Sequence, residues 1–168
     1  MRAAIDLGSN SVLLTVMDGE DVLHDSCRVV ALGRGLGDGG SFAEDRMDAA
    51  LAALSDYAAT ARTLGVEPGE VGAVATSSAR RATNAEAFFT RVTAETGLRF
   101  RVISGDEEAR LTWLGAQRDL EVPEGLRLVV DVGGGSTELI LGDARRVHHR
   151  ASLPLGAVRM TEAFLGRA

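Results

Sequence analysis

The feature that most limits what this chain can fold into is a pattern it carries twice. Ala3 to Val16 reads AAIDLGSNSVLLTV and Leu128 to Leu141 reads LVVDVGGGSTELIL: an apolar run, a D-x-G-x-x-S turn and a second apolar run. Asp6 corresponds to Asp131, Gly8 to Gly133 and Ser11 to Ser136. Apolar runs on either side of a Gly/Ser/Asn cluster read as β-hairpins, whose tight turns need residues tolerant of positive φ. Two hairpins of one design predict two related half-structures in a single chain.

The residue types in the turns predict what they bind. With no side chains over Gly133, Gly134 and Gly135, backbone N–H groups can approach an anion closely. The same holds at Gly8, and Ser9, Asn10, Ser11, Ser136 and Thr137 add side-chain donors. An Asp at the end of a strand repels a bare phosphate. It fits if a divalent cation such as Mg²⁺ lies between them, because hard cations take one or two carboxylates together with phosphate oxygens and water. Asp131 and Glu138 are the carboxylates for that role, with Asp6 as a further contributor. A glycine-rich hairpin with a solvated acid would explain one copy of the pattern, but explains the pair less well.

These residues carry a resemblance. DLGSNS and DVGGGSTE are similar to the two phosphate-binding loops of the actin-like ATPase superfold. TSSARRA, ISGDEEARL and SLPLGAVRMTEAFL resemble, in that order, motifs of the Ppx/GppA family of exopolyphosphatases and guanosine pentaphosphate phosphatases. The resemblance runs from Arg2 to about Leu165 and implies an α/β fold of the actin-like ATPase (ribonuclease H-like) kind, a mixed sheet with flanking helices. One complete domain is expected over residues 1–122 and the start of a second over 123–168. The activity implied is metal-dependent release of terminal phosphate from inorganic polyphosphate or from pppGpp. Carried over residue by residue, the family pattern makes Glu108, the second Glu of its E-E-A-R motif, the base that activates water. It gives phosphate neutralisation to Arg80, with Thr76 and Ser77 as supporting donors, and leaves Arg81 ambiguous. The spacing from Glu108 to Asp131 is one residue longer than the family pattern, which places an insertion around EVPEG.

Composition narrows the function classes. A net charge of −6 argues against a nucleic-acid coat or an anionic membrane surface as partner. All 18 basic residues are Arg, so a P-loop with its G-K-[ST] and a Schiff-base lysine are excluded, while guanidinium forks suit phosphate oxygens. Cys27 is the single cysteine, which precludes an internal disulfide and fits a cytoplasmic protein. No apolar tract has membrane-spanning length, and the chain enters a strand without a signal-peptide core.

Along the chain, Asp21 to Leu32 reads as a third strand and Gly33 to Gly40 as a flexible loop, a connector or a loop near the substrate. Capping boxes at Ser41/Glu44, Thr83/Glu86 and Ser104/Glu107 open three helices, ending near Gly65, at Gly97 and near Gln117. VGAVAT and RFRVIS are strands, and Thr76–Arg81 is a loop after a strand end, where α/β folds place ligands. The acids Asp106 and Glu107 are explained by the helix dipole alone. Leu120 to Gly125 is the expected domain boundary. Beyond it come three strands and a helix over PLGAVRMTEAFL, with Leu155, Val158, Met160 and Phe164 available for packing. His148 and His149 point to opposite faces of a strand, which argues against a metal role.

The second domain is expected to stop after its opening strands, leaving an exposed edge and bare apolar faces. Homodimerisation, implied by the family, belongs to parts outside this chain. Competing readings are a kinase of the same superfold, a non-catalytic nucleotide- or polyphosphate-binding module, and an inactive fragment.

Overall fold

The computed structural model describes residues 1–37, 39–118 and 125–166, and these form two compact units, Met1–Val102 and Ile103–Ala168. In the first unit the leading hairpin consists of β1 (Arg2–Leu7) and β2 (Ser11–Asp18), joined to β3 (Asp21–Val29). After α1 (Glu44–Thr63) and a 3₁₀ turn at Pro68–Glu70 come β4 (Gly72–Ala75), α2 (Ser77–Arg81), α3 (Ala85–Thr96) and β5 (Phe100–Val102). The five-stranded sheet has the order β3-β2-β1-β4-β5. β1/β2 and β2/β3 are antiparallel, whereas β1/β4 and β4/β5 are parallel, so the sheet is mixed.

Alternation along β1 and β2 explains why these strands form the floor of the core. Ala3, Ile5, Leu7, Val12, Leu14 and Val16 are buried on one face, where burial of each large apolar side chain contributes roughly 1.5–3 kcal/mol. α1 covers that face with Leu51, Leu54, Tyr57 and Ala61, and Tyr57 Oη donates to Val12 O at 3.3 Å. Asp6 lies on the opposite, exposed face.

The second unit places α4 (Gly105–Arg118) over a three-stranded antiparallel sheet of β6 (Arg127–Val132), β7 (Thr137–Gly142) and β8 (Val147–Leu153), followed by α5 (Ala157–Phe164). Its small core is Ala109, Trp113 and Ile140, backed by Val129 and Val147. Gly142 is what lets the helix touch the sheet: a Cβ there would meet Trp113 Cζ2 at 2.6 Å. The packing thus groups the Glu108 helix with the second sheet. The expected boundary, apart from Gly125, lies outside the described residues.

Several local expectations need correction. Ser41 does not cap α1: the helix begins after Ala43, and Ser41 Oγ instead bonds Thr83 Oγ1 at 2.7 Å. Asn84, not Thr83, precedes α3, and its Oδ1 accepts from Phe42 N at 2.8 Å. In both cases tertiary contact between the two helix starts outcompeted the local cap. Thr76–Arg81 is a short helix over Ser77–Arg81 rather than a loop. The third strand ends at Val29, and Leu32 and Leu36 bury into the core at 0% and 2% exposure, so the glycine-rich segment is anchored. By contrast Gly97 stops α3 with φ 80°, and Ser104 Oγ accepts from Glu107 N at 3.1 Å as a cap. α5 buries none of its residues, and Phe164 is exposed.

Candidate functional site

The two repeated turns have the same construction. In the first, Gly8 N donates to Ser11 O at 2.9 Å; in the second, Gly133 N donates to Ser136 O at 2.9 Å. Register also repeats, since Asp6 faces Leu13 across the first hairpin and Asp131 faces Glu138 across the second. The difference at the opposing position matters. At this position one hairpin carries a single carboxylate and the other a directly opposed pair, whose Cβ atoms by sheet geometry stand about 4.5–5.5 Å apart on one face.

Around the first turn, the parallel pairing of β1 with β4 brings Leu7 beside Ala75, and Thr76 N donates to Leu7 O at 3.3 Å. Gly8, Ser9, Asn10 and Ser11 therefore lie next to Thr76 and Ser77 at the carboxyl ends of two parallel strands, where α/β sheets bind ligands. Ser9 and Thr76 are buried, at 6% and 7% exposure. Arg80 is exposed in the last turn of α2. Arg81 Nη1 donates to Gly37 O at 2.7 Å, which gives that arginine a structural task in tying down the glycine-rich segment.

In the second unit the carboxylates are assembled by α4. Thr112 Oγ1 donates to Asp131 Oδ2 at 3.4 Å. Glu108 lies one turn earlier on α4, and residues four apart share a helix face, so it lies on the face that meets β6. Glu138 is buried at 1% exposure, and its Oε1 accepts from Ser152 Oγ at 2.8 Å. Asp106, at the start of the same helix, is forked by Arg150 through Nε and Nη2 at 2.7 and 2.6 Å. The Arg150 hydrogen bond holds the Asp106 carboxyl below the usual carboxylate range. Asp106 thus fastens α4 to β8, as a positioned partner of Arg150 rather than only a dipole complement.

Gly133, Gly134, Gly135, Ser136 and Thr137 form the second turn and the start of β7, and Thr137 Oγ1 donates to Leu155 O. Among the described residues no group of three or more His, Cys, Asp and Glu is arranged to hold a metal ion. Asp131 and Glu138 nonetheless fit Mg²⁺, which is commonly bound by one or two carboxylates while phosphate oxygens and water complete its shell. Asp6 lies in the other unit. Sequence reasoning missed Thr112, Ser152 and Arg150, whose roles depend on which helix covers the sheet.

The model of the Ppx/GppA phosphatase family matches residues 13–167. Exopolyphosphatase 2 of Mycobacterium tuberculosis is 38% identical over 97% of this chain and 54% of its own length. The crystal structure of an exopolyphosphatase from Cytophaga hutchinsonii superposes with a TM-score of 0.88 at 29% identity, covering 96% of this chain and 53% of that one. The Aquifex aeolicus Ppx/GppA phosphatase, in its type II variant, gives a TM-score of 0.77 at 39% identity, with 96% and 54% covered. The chain thus spans about half the length of these proteins. The mixed sheet with flanking helices is that of the actin-like ATPase fold.

Proposed function

Because this chain belongs to the Ppx/GppA phosphatase family, we propose that it carries catalytic residues of a phosphohydrolase that removes the terminal phosphate from inorganic polyphosphate, with pppGpp as the other candidate substrate. The observation that supports this most directly is the grouping made by α4 over β6 and β7: Glu108 one helical turn from the Thr112–Asp131 contact, and Asp131 opposite the buried Glu138. This grouping is what a general base beside a cation-binding carboxylate pair requires.

The reaction follows from those groups. Backbone and hydroxyl donors of Gly8 to Ser11 and Gly133 to Thr137 hold phosphate oxygens, Arg80 offsets their charge, and Thr76 and Ser77 add hydroxyl donors. The Glu108 carboxylate takes a proton from water as the water oxygen bonds to the terminal phosphorus. The bridging P–O bond breaks, and its electron pair leaves on the shortened chain. Asp131 and Glu138 would hold Mg²⁺, which supplies neutralisation of the developing oxyanion charge. The exopolyphosphatases among its relatives favour polyphosphate.

The test is phosphate release from long-chain polyphosphate and, in parallel, from pppGpp, with Mg²⁺, by this chain and by Glu108→Gln. We expect release to fall by about 10²–10⁴-fold in the variant with binding retained, the usual contribution of a positioned base. Unchanged turnover would remove Glu108 from the mechanism. Binding without release by the parent chain would mark a binding module instead.

A further inference from the structure

The internal repeat extends beyond the two turns. Each hairpin is followed by a third antiparallel strand, β3 or β8, and each third strand is followed by a Leu-Gly step: Leu32-Gly33 in the first unit and Leu155-Gly156 in the second. Both glycines are pressed against their turn. A Cβ on Gly33 would meet Ser9 Cβ at 3.0 Å and Ser9 O at 3.1 Å, and one on Gly156 would meet Gly134 O at 2.4 Å and Gly135 C at 2.5 Å.

The backbone around each glycine donates to carbonyls of the turn. Gly33 N bonds Ser9 O at 2.7 Å, while Val30 N and Ala31 N share Asn10 O at 2.9 and 2.8 Å. Ala157 N bonds Gly133 O at 2.9 Å, while Val158 N and Arg159 N share Gly134 O at 3.0 and 3.1 Å. Different machinery reaches the same end. In the first unit, Ala31 adopts φ 51°, a conformation unfavourable for a side-chain-bearing residue, and so turns the chain out of β3. In the second, the otherwise unpaired N-terminal amides of α5 do the bonding.

The consequence follows from planarity. All peptide bonds of the described residues are trans, and in a trans peptide the N–H points opposite to the preceding carbonyl. Pinning the Ser9 and Asn10 carbonyls turns the N–H groups of Asn10 and Ser11 to the other side. Pinning those of Gly133 and Gly134 does the same for Gly134 and Gly135. A carbonyl facing a phosphate would repel it, so a turn that binds anions must keep its oxygens turned away.

We propose that Gly33 and Gly156 are positioning residues, each closing a backbone clamp, one residue out of step between the two turns, that turns the carbonyls of its phosphate turn outward and its amides toward bound phosphate. This rests on the phosphate-binding reading of the two turns. Neither glycine touches phosphate; each acts through its turn.

The test uses the 168-residue chain, Gly33→Ala, Gly156→Ala, and Gly69→Ala as a control, since a Cβ at Gly69 meets nothing within 4 Å. Two quantities are read at a temperature where each protein is folded: amide hydrogen exchange at Val30, Ala31, Gly33, Ala157 and Val158, and the affinity for tripolyphosphate with Mg²⁺. The parent chain and Gly69→Ala should show slow exchange at these donors and equal affinity. Gly33→Ala should speed exchange at Val30 and Ala31 and weaken tripolyphosphate at least tenfold; Gly156→Ala should do so at Ala157 and Val158. If Gly156→Ala fails to fold, Gly33→Ala carries the test, its closest contact being a side chain. Fast exchange in the parent chain, or a folded Gly33→Ala with parental affinity, overturns the clamp while leaving phosphate binding intact. Slow donors in a parent chain that binds no tripolyphosphate overturn the phosphate reading, and with it the role given to the glycines.

Discussion

The hydroxyl of Ser78 is fully buried and has no hydrogen-bond partner among the described residues. It stands beside Gly33, whose added Cβ would meet Ser78 Cβ at 3.4 Å as well as Ser9. An unsatisfied buried hydroxyl costs about 1–3 kcal/mol, so replacing it with hydrogen removes a penalty and creates almost no cavity. Ser78→Ala should therefore unfold at the same or a higher temperature than the parent chain. A loss of more than about 1 kcal/mol would mean that the hydroxyl bonds to water in solution. Glu138 shows the opposite solution at the same scale: its carboxylate is as deeply buried, but Ser152 Oγ donates to it.

Among the elements, the β7–β8 hairpin has a turn whose strength depends on pH. Asp143 Oδ1 accepts from Arg145 N at 2.7 Å and Arg146 N at 3.0 Å, and Asp143 Oδ2 pairs with His148 Nε2 at 2.6 Å. The His148 bond first, then the two amides, lower the Asp143 carboxyl to about 2. A carboxylate whose folded value lies below its unfolded value, about 3.9, stabilises the fold above the unfolded value and stops doing so as pH falls through the folded one. The hairpin should thus loosen between about pH 4 and pH 2. Carboxyl NMR titration of Asp143, with amide exchange across β7 and β8, checks this; a midpoint near 4 would show the turn bonds to be absent in solution. The hairpin also carries Ser152 and Arg150, so its loosening should release Glu138 and Asp106 together.

For the molecule as a whole, the second sheet has one covered face and one open face. Leu128, Val130 and Val132 are 60%, 51% and 65% exposed along the edge strand β6, while Val129 packs under α4. An exposed apolar edge strand is a template for association. The chain should bind a hydrophobic dye and self-associate as its concentration rises, and Leu128→Thr with Val130→Thr should reduce both. Sedimentation that stays monomeric at high concentration, without dye binding, would refute this. No helix among the described residues is long and apolar enough to cross a membrane.

The amino-acid sequence alone determined the hairpins, their repetition and the residue types in their turns, because alternation, glycine and Asp are local signals that a strand or turn expresses directly. It also placed the Gly97 stop and the Ser104 cap, where each requirement lies within one turn of chain. Tertiary structure decided the rest. Which sheet α4 covers depends on Trp113 meeting the bare backbone of Gly142, residues far apart in sequence. The caps expected at Ser41 and Thr83 yielded to a bond between the two hydroxyls. The Leu-Gly clamp was written in the sequence twice, yet was illegible there, since a glycine declares its purpose only when the surface pressed against it is known.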